Sequence, residues 1–206
     1  MQTDYEYIEL NETQSQLMAL AKRASEESPD RSRKVGAVFV DDQNRILSIG
    51  FNTLPKGVPH EEAYLTRPGK YDWTEHAERN AIYDAAKRGI STENATVILP
   101  WFPCRECCRA IVQSGAKRLI AQFPDINDPQ WGPGFVDGLK MLKYAGIEFL
   151  PYLTDEVMAQ ANPNETPVEK TIHDDSRPTL QELVNEWNDK VELMQLKSVS
   201  RSRNLR

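Results

Sequence analysis

The chain has 206 residues, with 25 Lys and Arg against 31 Asp and Glu, a net charge of −6, and 3 cysteines. That length suits one domain of about 150 residues with an appendage, no run approaches the ~20 apolar residues of a membrane span, and the acidic balance argues against bulk affinity for nucleic acid or anionic lipid. The first ten residues carry Asp4, Glu6 and Glu9 and no basic stretch, so a secretory signal is not expected and a cytoplasmic location is.

In chain order, Leu17, Leu20, Ala21 and Ala24 fall at helical spacing, with Asn11 or Thr13 as the N-cap. Val35–Val40 and Ile46–Phe51 are apolar runs on either side of an Asp41-Asp42-Gln43-Asn44 turn, which reads as a hairpin. Residues 53–74, with Pro55, Gly57, Pro59, Pro68 and Gly69, read as a long loop, and such loops are usually functional or mobile. His76–Arg88 predicts a helix closed by Gly89, Thr96–Leu99 a strand, and Cys104–Ser114 a helix closed by Gly115. Arg118–Phe123 predicts a strand, Phe135–Tyr144 a helix ending near Gly146, and Ile147–Leu150 a last strand. Strands alternating with helices imply parallel crossovers, so the class is α/β with a mixed sheet of about five strands.

Charge divides the chain near Pro151. Residues 1–150 hold 18 basic and 21 acidic side chains, residues 151–196 hold 3 and 10, and residues 197–206 hold 4 and none. We therefore divide it into a domain over 1–150 and an appendage over 151–206, made of a linker, an amphipathic helix and a basic tail. Thr179 and Glu182 have capping-box spacing, and Leu180, Leu183, Val184, Trp187, Val191 and Met194 form an apolar stripe. That stripe must bury against its own domain or another subunit.

Two segments carry chemistry. His76-Ala77-Glu78 and Pro103-Cys104-Arg105-Glu106-Cys107 each stand at a predicted helix start. One His and two Cys give zinc three ligands and leave the fourth position open for water, as a catalytic site requires. At a helix start residues i and i+3 face the same way, and the helix dipole favours thiolates there. Glu78, not needed as a ligand, is free to move protons. A closed structural zinc and a thioredoxin-type redox pair are the competing readings. The first wants a fourth ligand that Cys108, turned about 100° from Cys107, does not supply. The second leaves His76 and Glu78 unexplained.

The H-x-E and P-C-x-x-C pair is the signature of zinc deaminases. The chain resembles the cytidine deaminase superfamily, and more narrowly the deoxycytidylate (dCMP) deaminases. The resemblance rests on Ser28-Pro29-Asp30, Val35-Gly36-Ala37-Val38, Gly50-Phe51-Asn52 with Pro55 and Gly57, His76-Ala77-Glu78 running to Asn80-Ala81-Ile82, and Phe102-Pro103-Cys104 running through Glu106-Cys107 to Gly115. It implies a three-layer α/β/α fold, Zn2+ held by His76, Cys104 and Cys107, and Glu78 as proton shuttle in hydrolysis of dCMP to dUMP and ammonia. Ser28, Asp30, Asn52, Lys56, Ala77 and Glu106 become substrate-binding candidates, with Glu106 either bonding a hydroxyl or capping its helix. The family often has Lys where Pro29 stands and Gly where Thr53 stands, so Arg31, Arg33, Lys34 and Lys56 are alternative cations for a phosphate. Tyr71, Trp73, Trp101 and Trp131 are candidate pocket walls. The resemblance further implies a homo-oligomer and deoxynucleoside triphosphate effectors, with neither membrane nor nucleic acid as partner. A polynucleotide or free-base deaminase, and a non-catalytic module on the same fold, are the competing functions. The tail residues Lys197, Arg201, Arg203 and Arg206 read as a solubilising end.

Overall fold

Asn11 opens the first helix, α1 (Glu12–Ser25). Its Oδ1 accepts from the Gln14 N–H at 2.9 Å while Gln14 Oε1 accepts from the Asn11 N–H at 3.0 Å, a reciprocal cap. The structure is a computed structural model that describes residues 5–153 and 178–203, with side chains as far as Lys197. The proline-containing linker and the side chains of Arg201, Arg203 and Arg206 lie outside the described residues.

The hairpin pairs β1 (Gly36–Val40) with β2 (Ile46–Phe51), and Asn44 takes the left-handed conformation (φ 63°) in the turn between them. The 53–74 segment is not structureless. It holds two single-turn helices, α2 (Glu62–Leu65) and α3 (Lys70–Trp73), and its ends are tied by reciprocal backbone bonds between Thr53 and Glu75 at 3.0 and 2.8 Å. Next come α4 (Ala77–Lys87), β3 (Thr96–Ile98), α5 (Arg105–Gln113), β4 (Arg118–Gln122), α6 (Gly132–Tyr144), β5 (Glu148–Tyr152) and α7 (Leu180–Arg203). Gly89 and Gly115 end α4 and α5 at φ 67° and 75°, a conformation glycine adopts without steric cost. α6 starts three residues before the predicted Phe135, because Pro133 is tolerated in a first helical turn.

The strands run β2-β1-β3-β4-β5, with β1 antiparallel to both neighbours and β3, β4 and β5 parallel. The period of two along each strand feeds two cores. Ala37, Phe39, Val97, Leu99, Leu119 and Ala121 face α4, α5 and α6, while Val38, Val40, Ile98 and Ile120 face α1 and α7. Each large apolar side chain buried this way contributes about 1.5–3 kcal/mol. The α/β/α layering expected from the resemblance is present, and α7 shares a layer with α1.

The appendage helix docks on its own chain. Leu180, Leu183, Val184 and Trp187 pack on the α1 side of the sheet and Val191 is buried. Thr179 and Glu182 make the predicted box, Thr179 N–H donating to Glu182 Oε2 at 2.7 Å. Trp187 Nε1 donates to the Asn44 carbonyl at 2.7 Å. Asn188 both accepts from the Ile46 N–H at 2.7 Å and donates to the Ile46 carbonyl at 3.2 Å, so it occupies the open edge of β2. Met194, which the stripe included, is exposed together with Leu193 and Leu196. Among the described residues, no helix is long and apolar enough to cross a membrane.

Candidate metal centre and cleft

Two helix N-termini meet at the site. His76 is the N-cap of α4 and Cys104 the N-cap of α5; both are extended (ψ 155° and 166°), and neither side chain caps its helix. Each is therefore free to turn toward the other. Cys107, one turn into α5, completes the group. His76 Nδ1 lies 3.5 Å from Cys104 Sγ and 3.4 Å from Cys107 Sγ, and the three donor atoms all lie within 4.8 Å of one another. Zinc bonds of about 2.3 Å to sulfur and ~2.05 Å to nitrogen, at a tetrahedral angle, place S and N roughly 3.5 Å apart. The donor set and its spacing fit zinc.

Cys108 stands apart, as its direction on the helix required. It is buried, with Sγ 3.5 Å from the Pro103 carbonyl, and packs beside Gly138. Burial pushes its thiol well up. The triad is a coupled system. The Cys104 thiol is held down to about 3, chiefly by the hydrogen bond from the Cys107 thiol and then by His76. The same bond, with burial, pushes Cys107 up. His76 is raised through its bond to Cys104. Arg79 closes this side, paired with Glu75 and, at 3.0 Å, with Glu106.

Glu78 is buried beside the triad. Burial pushes its carboxyl up, against the pull of the His76 charge. Glu78, His76, Cys104 and Ala77 line one cleft, walled by Val35, Phe102, Phe135 and the aromatics Tyr71, Trp101 and Trp131. Trp73 is not in that wall; it stacks on Tyr64 with ring centroids 4.1 Å apart.

The other candidates divide. Asn52 lines the cleft with its amide held in place: Oδ1 accepts from the Val35 N–H at 2.7 Å, and Nδ2 donates to the Arg33 carbonyl at 2.9 Å and to Asp30 at 3.3 Å. Ser28 is buried and donates to the Asn52 carbonyl at 2.6 Å. Asp30 accepts from the Ser32 and Arg33 N–H groups and holds Lys70 Nζ at 2.7 Å. Glu106 faces a neighbouring groove, paired with Arg79 and Arg109, and makes no cap. Lys56 is exposed on the loop and does not line the cleft. Arg31 pairs with Glu62 and Lys34 reaches the Glu26 carbonyl, so of the alternative cations only Arg33 lines it. Arg67, Lys70 and Phe135 line the cleft and were not among the sequence candidates. Nothing local marks Lys70, because its partner lies 40 residues away.

A sequence model of the "Cytidine and deoxycytidylate deaminase zinc-binding region" matches residues 11–123. That span contains both helix starts and the whole triad. The chain belongs to this family. Among family relatives, the deoxycytidylate deaminase of Pongo abelii is 32% identical over 117 residues, which are 54% of this chain and 65% of that protein. The match to it thus spans just under two thirds of its length. The deoxycytidylate deaminase of Enterobacteria phage T4 is 31% identical over 175 residues, covering 65% of this chain and 86% of that one. Of solved structures, the dCMP deaminase of the cyanophage S-TIM5, crystallised with dCMP and dUMP, superposes with a TM-score of 0.56 at 26% identity over 71% of this chain and 100% of that one. The deaminase family fold and its zinc-binding segment are thus both present.

Proposed function

We propose that this chain deaminates dCMP to dUMP. The observation that carries the reading is the buried Glu78 beside a His-Cys-Cys donor set at the floor of an aromatic cleft; the relatives named for dCMP support the substrate. His76, Cys104 and Cys107 would hold zinc, whose Lewis acidity would lower the pKa of a water from about 15.7 toward ~7.

The chain's own residues do the rest. Glu78, its carboxyl pushed up by burial beside the His76, Cys104 and Cys107 group, is placed to take a proton and to hand it on. It accepts a proton from the attacking water and delivers it to N3 of cytosine. With the water oxygen now bonded to C4, Glu78 carries the remaining proton of that hydroxyl to the amino nitrogen; the C4–N bond breaks, C4=O forms and ammonia leaves. Water and dCMP are consumed; dUMP and ammonia result. Ala77 lines the cleft in the first turn of α4, where its N–H has no intrahelical carbonyl to bond, and we assign that N–H as a donor for the base. The aromatic walls pack the pyrimidine and exclude water. Ser28, Asp30 and Asn52 act on substrate through the shape of the 28–35 wall that they hold together. The same reading extends to self-association, which the exposed Leu193, Met194 and Leu196 of α7 support.

The test is ammonia release from dCMP, CMP, deoxycytidine and cytosine with zinc-loaded protein. Wild type should prefer dCMP. Glu78→Gln should lose about 10²–10⁴-fold in turnover while retaining zinc by elemental analysis. Turnover surviving in that variant, or none of dCMP in wild type, refutes the reading.

A further inference from the structure

The cleft has a rim whose charge the chemistry at C4 does not use. Arg33, Arg67 and Lys70 all line it. Lys70 is already committed: its Nζ sits 2.7 Å from Asp30 Oδ2, both side chains are buried, and the two charges cancel. Arg33 and Arg67 differ. Both are exposed, and among the described residues neither guanidinium meets a carboxylate. Every other arginine whose side chain is described is ion-paired with an Asp or Glu. In a chain of net charge −6, the two arginines that meet no carboxylate among the described residues converge on one cleft.

Each is backed by a ring of that same cleft. The Arg33 guanidinium lies 5.2 Å from the Trp101 ring centroid, and that of Arg67 6.0 Å from Tyr71. An aromatic face steadies a guanidinium without neutralising it, leaving its planar fork of N–H donors for another partner. The Arg33 backbone is pinned independently, its N–H to Asp30 at 3.0 Å and its carbonyl to Asn52 at 2.9 Å. Its side chain is thus presented from a fixed point. Of the carboxylates lining the cleft, Asp30 is cancelled by Lys70 and Glu78 lies buried at the floor. Two forks that suit phosphate oxygens therefore face an opening with no competing exposed acid.

We propose that Arg33 and Arg67 together bind the 5′-phosphate and so set the preference for a nucleotide over a nucleoside. This rests on the reading of the floor as a dCMP-deaminating site. The test compares kcat/KM for dCMP and deoxycytidine in wild type, Arg33→Gln, Arg67→Gln and the double variant, with calorimetric binding of dUMP and deoxyuridine to each. The dCMP to deoxycytidine ratio should fall about tenfold or more for each single change, mainly through KM, and further for the double. Affinity for dUMP should fall with it, relative to deoxyuridine. A ratio that does not move, or parallel losses on both substrates, overturns the arginine site. Arginine-dependent binding of dUMP without turnover of dCMP in wild type upholds the arginine site and sinks the deaminase reading. Turnover of dCMP indifferent to both arginines does the reverse.

Discussion

Asp30 and Lys70 meet across 40 residues of chain, and both are buried. Burial by itself would raise the Asp30 carboxyl; the Lys70 ammonium and the N–H groups of Arg33 and Ser32 outweigh it and hold the carboxyl below its ordinary range. The folded pKa lies below the unfolded one (about 3.9), so this group stabilises the fold above that value. The contribution is lost as pH falls through the folded pKa. Urea titrations of wild type and Asp30→Asn should thus differ by a constant amount above about pH 5 and converge at more acid pH. Lys70→Met, which strands a buried carboxylate, should cost about 3–5 kcal/mol at neutral pH. At this scale the triad and Glu78 were legible, because their spacing along two helix starts is written locally. Lys70 and Arg67 were not, since only the folded loop brings them to Asp30 and to the cleft. Asn52 was legible as a cleft residue, but not its work in pinning the 28–35 segment.

The helices that bring His76, Cys104 and Cys107 together depend on how closely they lie on the sheet. A Cβ on Gly50 of β2 would meet the Ala77 carbonyl oxygen at 2.2 Å and the Ala81 nitrogen at 2.4 Å, both backbone atoms of α4. A Cβ on Gly36 of β1 would meet the Ala21 carbonyl of α1 at 2.0 Å, on the opposite layer. Both Gly→Ala changes overpack and should cost about 1–3 kcal/mol or more. Only Gly50→Ala displaces the helix carrying His76 and Glu78, so only it should also lower zinc affinity and turnover, measured by metal titration and ammonia release. The ends of α4 and α5 could be read from their closing glycines. The start of α6 could not, because Gly132-Pro133-Gly134 reads as a breaker although the proline suits a first turn. The short α2 and α3 were missed for another reason: a single turn is too brief to show a period.

For the whole molecule, α7 closes the layer over α1 and seals the edge of the sheet. Its stripe was evident in the sequence; what it lies on was not, since that depends on β2 standing at the edge of the folded sheet. There Asn188 bonds both the Ile46 N–H and its carbonyl. Asn188→Ala should cost about 1–3 kcal/mol by urea denaturation, with kcat/KM per folded molecule unchanged because the cleft lies elsewhere. Removing residues 179–206 should go further, both destabilising the core and lowering the mass seen by light scattering. A truncated chain of unchanged mass and stability would contradict the packing of Trp187 and the association assigned to the helix end.

The two backbone bonds between Thr53 and Glu75 reach beyond the loop they close. They fix where the chain leaves the sheet and where it returns, one residue before His76. Whatever lies between is bounded by a constant doorway, and lengthening it costs little, each doubling adding only ~0.6 kcal/mol of closure entropy. Arg67, Lys70 and Tyr71 all belong to that interval. That interval can therefore be lengthened or recast between its two ends while α4 keeps its place, provided Lys70 stays to meet the buried Asp30.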